Sequence, residues 1–182
     1  AIARAVLIAL IATILAGASS VRETERLAVV AVVDISDSMR LLADQYSDFG
    51  TDAEGNPRSY REAVLDYLAQ SGEERTPEDL LGVVVYSGST MAVSIPSAST
   101  GPDVEIEYQL VDGTNIESAL RFAQRMFPPD AARRILLISD GVETGGDALG
   151  AASELASSPT PVRVDVAPVT YRVRSEVMVE AI

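Results

Sequence analysis

Three short polar motifs stand at the ends of apolar segments, and the first is the run from Asp34 to Ser38, which follows an apolar stretch. In an extended chain alternate side chains point the same way, so we expect Asp34, Ser36 and Ser38 to direct three oxygen atoms at one point. Carboxylate and hydroxyl oxygens suit hard divalent cations such as Mg²⁺, Mn²⁺ or Ca²⁺. The motif therefore predicts half of a metal site.

The other two motifs are Asp112-Gly113-Thr114, before a predicted helix, and Ser139-Asp140-Gly141, at the carboxyl end of a predicted strand. Taken alone, each motif has an ordinary explanation. Thr114 fits the first position of a helix capping box, Asp140-Gly141 fits a turn, and the serines of the first motif fit a short helix cap. In an open α/β sheet, however, all three would lie along the carboxyl edge, where such folds bind ligands.

Composition restricts the chemistry that these motifs could support. The chain has 182 residues with no Cys and no His, and its formal net charge is −13. Without His or Cys there is no Ser-His-Asp or Cys-His nucleophile, no thiol redox chemistry and no ordinary zinc site. The negative charge disfavours nucleic acid and anionic membrane surfaces as partners. Because the chain has no His and no Cys, any metal must be bound by oxygen atoms.

Apolar runs alternate with amphipathic stretches from Arg26 onward, which predicts an α/β fold with an open, mostly parallel sheet and helices on both faces. A short turn before Met91 leaves no room for a crossover helix, so the strand that follows it is expected to be an antiparallel edge strand ended by Pro96. The predicted strands are Leu27–Val33, Leu81–Tyr86, Met91–Pro96, Arg134–Ser139 and Val162–Ala167, and the predicted helices are Arg58–Gln70, Asn115–Phe127 and Asp147–Ser157.

Two connections, Leu41–Pro57 and Ser97–Asp112, are long and acidic. Loops of this length usually carry function or are disordered. The acidic spacing in the first is a poor match to the calcium loop of an EF-hand, so a solvated acidic loop is the favoured interpretation.

Together the three motifs resemble, in their order and on their elements, the metal-ion-dependent adhesion site of von Willebrand factor A (vWA) domains. The resemblance covers Arg26 to Pro168. It implies one bound Mg²⁺, with Mn²⁺ or Ca²⁺ as alternatives, and a coordination position open to a carboxylate of a protein partner. One departure is Asp37, where many members have Gly, which adds a negative charge beside the site. The implied metal ligands are the hydroxyls of Ser36, Ser38 and Thr114, with Asp34 and Asp140 acting directly or through water.

The segment before this region is apolar and uncharged from Ala5 to Val21, which indicates a transmembrane helix or a secretory signal. We favour the membrane anchor, with a buried core helix as a third alternative. Arg4 precedes the segment and no net charge follows it directly, which favours an extracytoplasmic domain. The predicted divisions are 1–22 for this segment, 26–170 for the vWA domain and 171–182 for a terminal strand or the start of a further domain.

These features predict a divalent-metal-dependent protein-binding module, not an enzyme, of a membrane-anchored protein. A narrower resemblance is to membrane-anchored bacterial members, including some with a glutamine-amidotransferase-like module downstream. Two alternatives stay open: a Mg²⁺-dependent phosphoryl-transfer enzyme, and a vWA domain whose metal is purely structural. The phosphoryl-transfer alternative is weakened because the chain has neither His nor a phosphate-cradling glycine-rich loop.

Overall fold

One five-stranded sheet organises the computed structural model, which describes residues 2–4, 6, 26–43, 49–73, 75–98 and 111–171. The strands are β1 (Leu27–Asp34), β2 (Leu80–Tyr86), β3 (Thr90–Ser97), β4 (Ala132–Ser139) and β5 (Val162–Pro168). The helices are α1 (Tyr60–Glu73), α2 (Ile116–Gln124) and α3 (Ala148–Ser157), and a π-helical turn covers Ser38–Ala43. Every predicted strand and helix is confirmed, with ends displaced by at most a few residues.

The strand order is β3-β2-β1-β4-β5, so β1 lies in the centre of the sheet. β1 pairs in parallel with β2 on one side and with β4 on the other, and β5 continues the parallel pairing beyond β4. All the parallel strands therefore end at one edge, which we call the carboxyl edge, and begin at the opposite, amino edge. This topology confirms the predicted mostly parallel α/β sheet.

β3 is the one antiparallel strand among those described, as its short connection to β2 predicted. It runs one residue past Pro96 instead of ending there, and its register shifts between Leu81 and Val83 and between Val83 and Val84. Pro96 packs against Gly82, where an added Cβ would approach the proline ring to 2.9 Å. A bulged edge strand tolerates proline because the missing N–H faces away from the ladder.

The apolar residues of β1 divide between two cores, because alternate side chains of a strand face opposite sides of the sheet. Val30 and Val32 pack in the core under α2 and α3, while Ala31 and Val33 pack in the core under α1. Burial on both faces explains why β1 is an uninterrupted apolar run. The sheet thus gives the residues at its carboxyl edge a rigid base.

The described residues leave out much of the two long acidic connections and most of the predicted segments 1–22 and 171–182. The part of the first connection that is described forms a turn, in which Asp52 Oδ1 accepts a hydrogen bond of 2.7 Å from the Asn56 N–H. Within the described ranges no helix is both long and apolar enough to cross a bilayer. The predicted domain boundaries and membrane segment stay predictions.

Candidate metal site at the carboxyl edge

Asp34, the last residue of β1, is the centre of the site and is 0% exposed to solvent. Its Oδ1 accepts a hydrogen bond of 2.9 Å from the Ser36 N–H. Its Oδ2 accepts bonds of 2.7 Å from the Ser139 hydroxyl and 3.1 Å from the Tyr86 hydroxyl. Since Ser139 ends β4 and Tyr86 ends β2, both strands that flank β1 converge on this one carboxylate.

Burial raises the pKa of Asp34 above its ordinary value, although the hydrogen bonds from Ser36, Ser139 and Tyr86 act in the opposite direction. Burial also raises the pKa of Tyr86, and the negative charge of Asp34 adds to this effect, so Tyr86 stays a neutral donor. A carboxylate taken out of water is costly unless a positive charge compensates it. The chemistry of this position thus fits a cation.

Ser36 and Ser38 come together by a turn and not by the extended conformation expected for this motif. The Ser36 carbonyl accepts hydrogen bonds of 3.0 Å from the Met39 N–H and 3.1 Å from the Arg40 N–H, which opens the π-helical turn. The expectation of alternating side chains beyond Asp34 was therefore wrong, and the chain starts a helical turn instead. The two hydroxyls nevertheless meet, with their oxygens 2.9 Å apart.

Asp140 directly follows β4, and the hydroxyl of Tyr171 connects it to the serines. Asp140 Oδ1 accepts a bond of 2.9 Å from the Val142 N–H, and Oδ2 accepts one of 2.9 Å from the Tyr171 hydroxyl. Burial raises the pKa of Tyr171, as does its bond to Asp140, so it donates as a neutral phenol. An interaction with the Ser38 side chain lowers the pKa of the same hydroxyl.

Thr114 is buried and is held between the loops that follow β2 and β4. The N–H of its neighbour Asn115 donates to the Ser87 carbonyl at 2.8 Å, just after β2, and the Thr144 N–H donates to the Thr114 carbonyl at 2.9 Å. Within the described part of the chain, a direct hydrogen bond connects Ser36 with Ser38, Tyr171 bonds Asp140, and backbone hydrogen bonds hold the segment of Thr114. All five predicted ligands thus lie at the same edge.

All five predicted ligands fall within a segment, residues 29–143, that matches the von Willebrand factor type A domain family. The chain belongs to this family. No curated protein was found to be significantly similar in sequence. Because the family assignment covers the elements that carry all five predicted ligands, it agrees with the resemblance seen in the motifs.

Solved structures share the fold of this vWA domain at low sequence identity. The conserved hypothetical protein BatB of Bacteroides thetaiotaomicron is 23% identical, with a TM-score of 0.62 over 77% of this chain and 65% of that one. An aerotolerance-related membrane protein of Bacteroides fragilis is 20% identical, with a TM-score of 0.63 over 85% and 76%. Manganese-loaded TRAP of Plasmodium vivax is 16% identical, with a TM-score of 0.53 over 80% and 58%. The chain thus spans about two thirds of BatB.

Helix α2 of the vWA domain is capped by Asn115, which corrects the predicted capping role of Thr114. The Asn115 side chain accepts a hydrogen bond of 2.8 Å from the Ser118 N–H, and the helix begins at Ile116. Asn caps helices as well as Ser does, and Asn115 lies one residue after Thr114. Helix capping therefore gives no account of Thr114, which lies between the loop after β2 and the loop after β4 that carries Asp140.

Three tyrosines that the sequence did not single out support the site in the vWA domain, together with Ser139, which the third motif contained. Tyr86 and Ser139 bond the Asp34 carboxylate, the Tyr60 hydroxyl donates to the Asp34 carbonyl at 2.9 Å, and Tyr171 bonds Asp140. Tyr86 and Ser139 end the strands next to β1, so knowledge of the strand order would have pointed to them. No sequence signal indicates Tyr171.

Proposed function

We propose that this vWA domain holds one divalent cation, Mg²⁺ or Mn²⁺ before Ca²⁺, and through it binds a carboxylate of a protein partner. The observation that carries the proposal is the pair of hydroxyls of Ser36 and Ser38, whose oxygens lie 2.9 Å apart beside the buried carboxylate of Asp34. Thr114 and Asp140 complete an all-oxygen set of the kind that hard cations select. Among the described residues, no group of three or more Asp, Glu, His or Cys side chains is placed to hold a metal ion.

Hydroxyl ligands carry no charge, so a bound ion would keep positive charge and act as a Lewis acid toward an incoming carboxylate. The extra charge of Asp37 is partly offset, because Arg40 Nη1 lies 3.6 Å from Asp37 Oδ1. Both side chains are mostly exposed, so the pair is weak and free to rearrange when a partner binds. Asp37 is thus compatible with an acidic partner.

Each of the three segments that carry predicted ligands, including the π-helical turn after β1, also exposes one large aliphatic side chain. Leu41 is 61% exposed, Val111 is 67% exposed and Val142 is 55% exposed. Single exposed aliphatic residues are ordinary on protein surfaces, but three on the loops of one site offer apolar contacts around a charged centre. Protein interfaces combine contacts of these two kinds. This combination favours a protein partner over a small phosphorylated substrate.

Metal binding is tested by calorimetric titration of the domain with Mg²⁺ and Mn²⁺. We expect one site in the wild type and strongly weakened binding in Ser36→Ala, whose fold should survive because Ser36 lies on a loop. Ser153→Ala is the matched control, since its hydroxyl donates to the Leu149 carbonyl within α3. A wild type that binds neither ion, or a Ser36→Ala variant that binds normally, would contradict the proposal.

An open coordination position separates a partner-binding metal from a structural one. With Mn²⁺ bound, acetate should displace water from the ion and lower the water-proton relaxivity of the sample, which the Ser36→Ala variant should not show. Unchanged relaxivity would favour the structural alternative. Hydrolysis of p-nitrophenyl phosphate that needs Mg²⁺ and is lost in Ser36→Ala would favour the phosphoryl-transfer alternative instead.

We also propose that the domain is membrane-anchored through the apolar segment 1–22 and faces the extracytoplasmic side. This proposal is supported by the sequence of that segment and by the Bacteroides fragilis neighbour, which is described as a membrane protein. Protease added to intact cells that express the full chain should degrade the domain. Complete protection, with digestion only after lysis, would reverse the orientation.

A further inference from the structure

The loop after β4 carries the predicted ligand Asp140 at its start and then holds the segment of another predicted ligand, Thr114. Thr144, four positions after Asp140, bonds both backbone groups of Thr114. The Thr114 N–H donates to Thr144 Oγ1 at 2.8 Å, and the Thr144 N–H and hydroxyl donate to the Thr114 carbonyl at 2.9 Å and 3.3 Å. Thr114 therefore cannot shift relative to this loop without losing three hydrogen bonds.

Glu143 fixes the same loop to the starts of two helices. Its Oε1 accepts a bond of 3.0 Å from the Glu117 N–H in the first turn of α2, and its Oε2 accepts one of 2.9 Å from the Ala148 N–H, which begins α3. The first N–H groups of a helix have no partner within the helix, and the helix dipole favours a carboxylate there. One side chain thus satisfies donors from both helices.

Two further contacts show that this arrangement is tight. Glu117 returns the interaction, since its Oε2 accepts a bond of 2.9 Å from the Asp147 N–H. Gly146 has a φ of +114°, and a Cβ added there would come within 2.7 Å of Glu143 Oε1. The loop therefore has little freedom to move Glu143 away from the helix starts.

We propose that Glu143 and Thr144 are positioning residues of the metal site, which hold Thr114 at a fixed place relative to Asp140. We call these two residues the loop clamp. Thr114 and Asp140, two of the five predicted ligands, come from segments that are far apart in sequence. The clamp joins those segments through hydrogen bonds to the N–H and to the carbonyl of Thr114. Outer residues that orient metal ligands in this way contribute substantially to affinity. The inference rests on the proposed metal-binding function.

The test uses Thr144→Val, which removes the hydroxyl but keeps the branched shape and the backbone N–H, and Thr144→Ser, which restores the hydroxyl. In metal-free protein, hydrogen exchange of the Thr114 amide should become faster in Thr144→Val and return toward the wild-type rate in Thr144→Ser. Calorimetry should show Mg²⁺ binding about tenfold weaker in Thr144→Val, within the range typical of lost outer contacts, and restored in Thr144→Ser. Glu143→Gln, which keeps one acceptor oxygen, provides a second variant if Thr144→Val does not fold, with weakened Mg²⁺ binding expected again.

Asp147→Ala is the matched control for general loss of stability. Its side chain caps α3 by accepting a bond of 2.8 Å from the Gly150 N–H, and its backbone bond to Glu117 remains in the variant. We expect it to lower the Tm while Mg²⁺ affinity and Thr114 exchange stay as in the wild type. Equal weakening of Mg²⁺ binding by Asp147→Ala and Thr144→Val would show a mere stability effect and overturn the inference.

The failure of the clamp and the failure of the metal site have different signatures. If the wild type binds Mg²⁺ and Ser36→Ala does not, but Thr144→Val and Glu143→Gln both bind like the wild type, the clamp is wrong and the metal site stands. If the wild type itself binds neither Mg²⁺ nor Mn²⁺, both are wrong. Faster Thr114 exchange together with unchanged affinity would likewise refute a positioning role.

Discussion

An aspartate lies at each end of β1, and the surroundings shift the pKa values of the two carboxyl groups in opposite directions. At the carboxyl edge, Asp34 is fully buried and accepts bonds from Ser36, Ser139 and Tyr86, yet burial raises its pKa. At the amino edge, Asp79 is only partly buried and accepts bonds of 2.9 Å from the Leu27 N–H and 3.0 Å from the Thr76 N–H. The bond from Leu27 lowers the pKa of Asp79.

The charged carboxylate of Asp79 therefore stabilises the fold, whereas the charged carboxylate of Asp34 opposes folding in the absence of a cation. Hydrogen bonds to Asp79 favour its charged form without much loss of hydration, so ionisation of Asp79 strengthens the start of β1. Desolvation of Asp34 outweighs its hydrogen bonds, so its charge opposes folding when no cation is near. A bound cation would compensate the cost of this buried charge, which gives a physical reason for its position.

The largest expected effect comes from Asp34→Asn, which removes the charge at the carboxyl edge but keeps the shape. We expect Mg²⁺ affinity to fall by at least about 100-fold, beyond the typical effect of losing an outer contact. Stability in metal-free buffer should stay the same or rise, since the amide can donate to the Ser139 and Tyr86 hydroxyls, which can turn to accept. Calorimetry and chemical denaturation measure the two effects.

Asp79→Asn is the matched control at the amino edge, and it should leave Mg²⁺ affinity at the wild-type value. A strong loss of metal-free stability in Asp34→Asn would show that the Asp34 charge supports folding after all. The statement that the charges of Asp34 and Asp79 have opposite effects on stability would then be wrong, even if Mg²⁺ binding were also lost.

The next effect in size is a loss of stability in Asp79→Ala, which leaves the Leu27 and Thr76 N–H groups without their acceptor. We expect the free energy of unfolding to fall by about 1–2 kcal/mol, as for other lost hydrogen bonds to backbone donors. Asp130→Ala is the control, because Asp130 forms only an exposed ion pair with Arg26 at 3.2 Å. Equal losses in the two variants would remove the special role of Asp79.

The pKa direction of Asp79 gives this prediction a pH dependence. A lowered folded-state pKa means that the stabilisation is present above the ordinary value of 3.8 and is lost as the pH falls below it. The stability difference between wild type and Asp79→Ala should therefore shrink as metal-free samples go from about pH 6 to about pH 3. A difference that stayed constant over this range would exclude a contribution from the ionised carboxylate.

The smallest effect is expected from Tyr171→Phe, which removes the hydroxyl that connects Asp140 and Ser38. If this phenol orients the two ligands, Mg²⁺ affinity should fall by about three- to tenfold, at or below the low end of the range for outer contacts. Tyr67→Phe, at an exposed position on α1, is the control. Tighter Mg²⁺ binding in Tyr171→Phe would instead mean that the hydroxyl competes with the ion.

Local patterns in the sequence were sufficient for the secondary structure and for the position of the motifs. The uninterrupted apolar run of β1 predicted a strand buried on both faces, and the short connection before Met91 predicted the antiparallel edge strand. The detailed geometry of the first motif was not predictable in this way. Whether the chain stays extended after Asp34 or turns at Ser36 depends on the helical turn that follows, and both conformations fit the same residues.

By itself, the sequence determined that this protein is an α/β domain of the vWA family with its oxygen-bearing motifs at the ends of strands. Periodicity and residue type act over a few residues, so they are readable along the chain. Only the tertiary structure decided that Ser139 bonds Asp34 and that Thr144 holds Thr114. These contacts join residues distant in sequence, and they exist only because strand order and packing bring their backbones together.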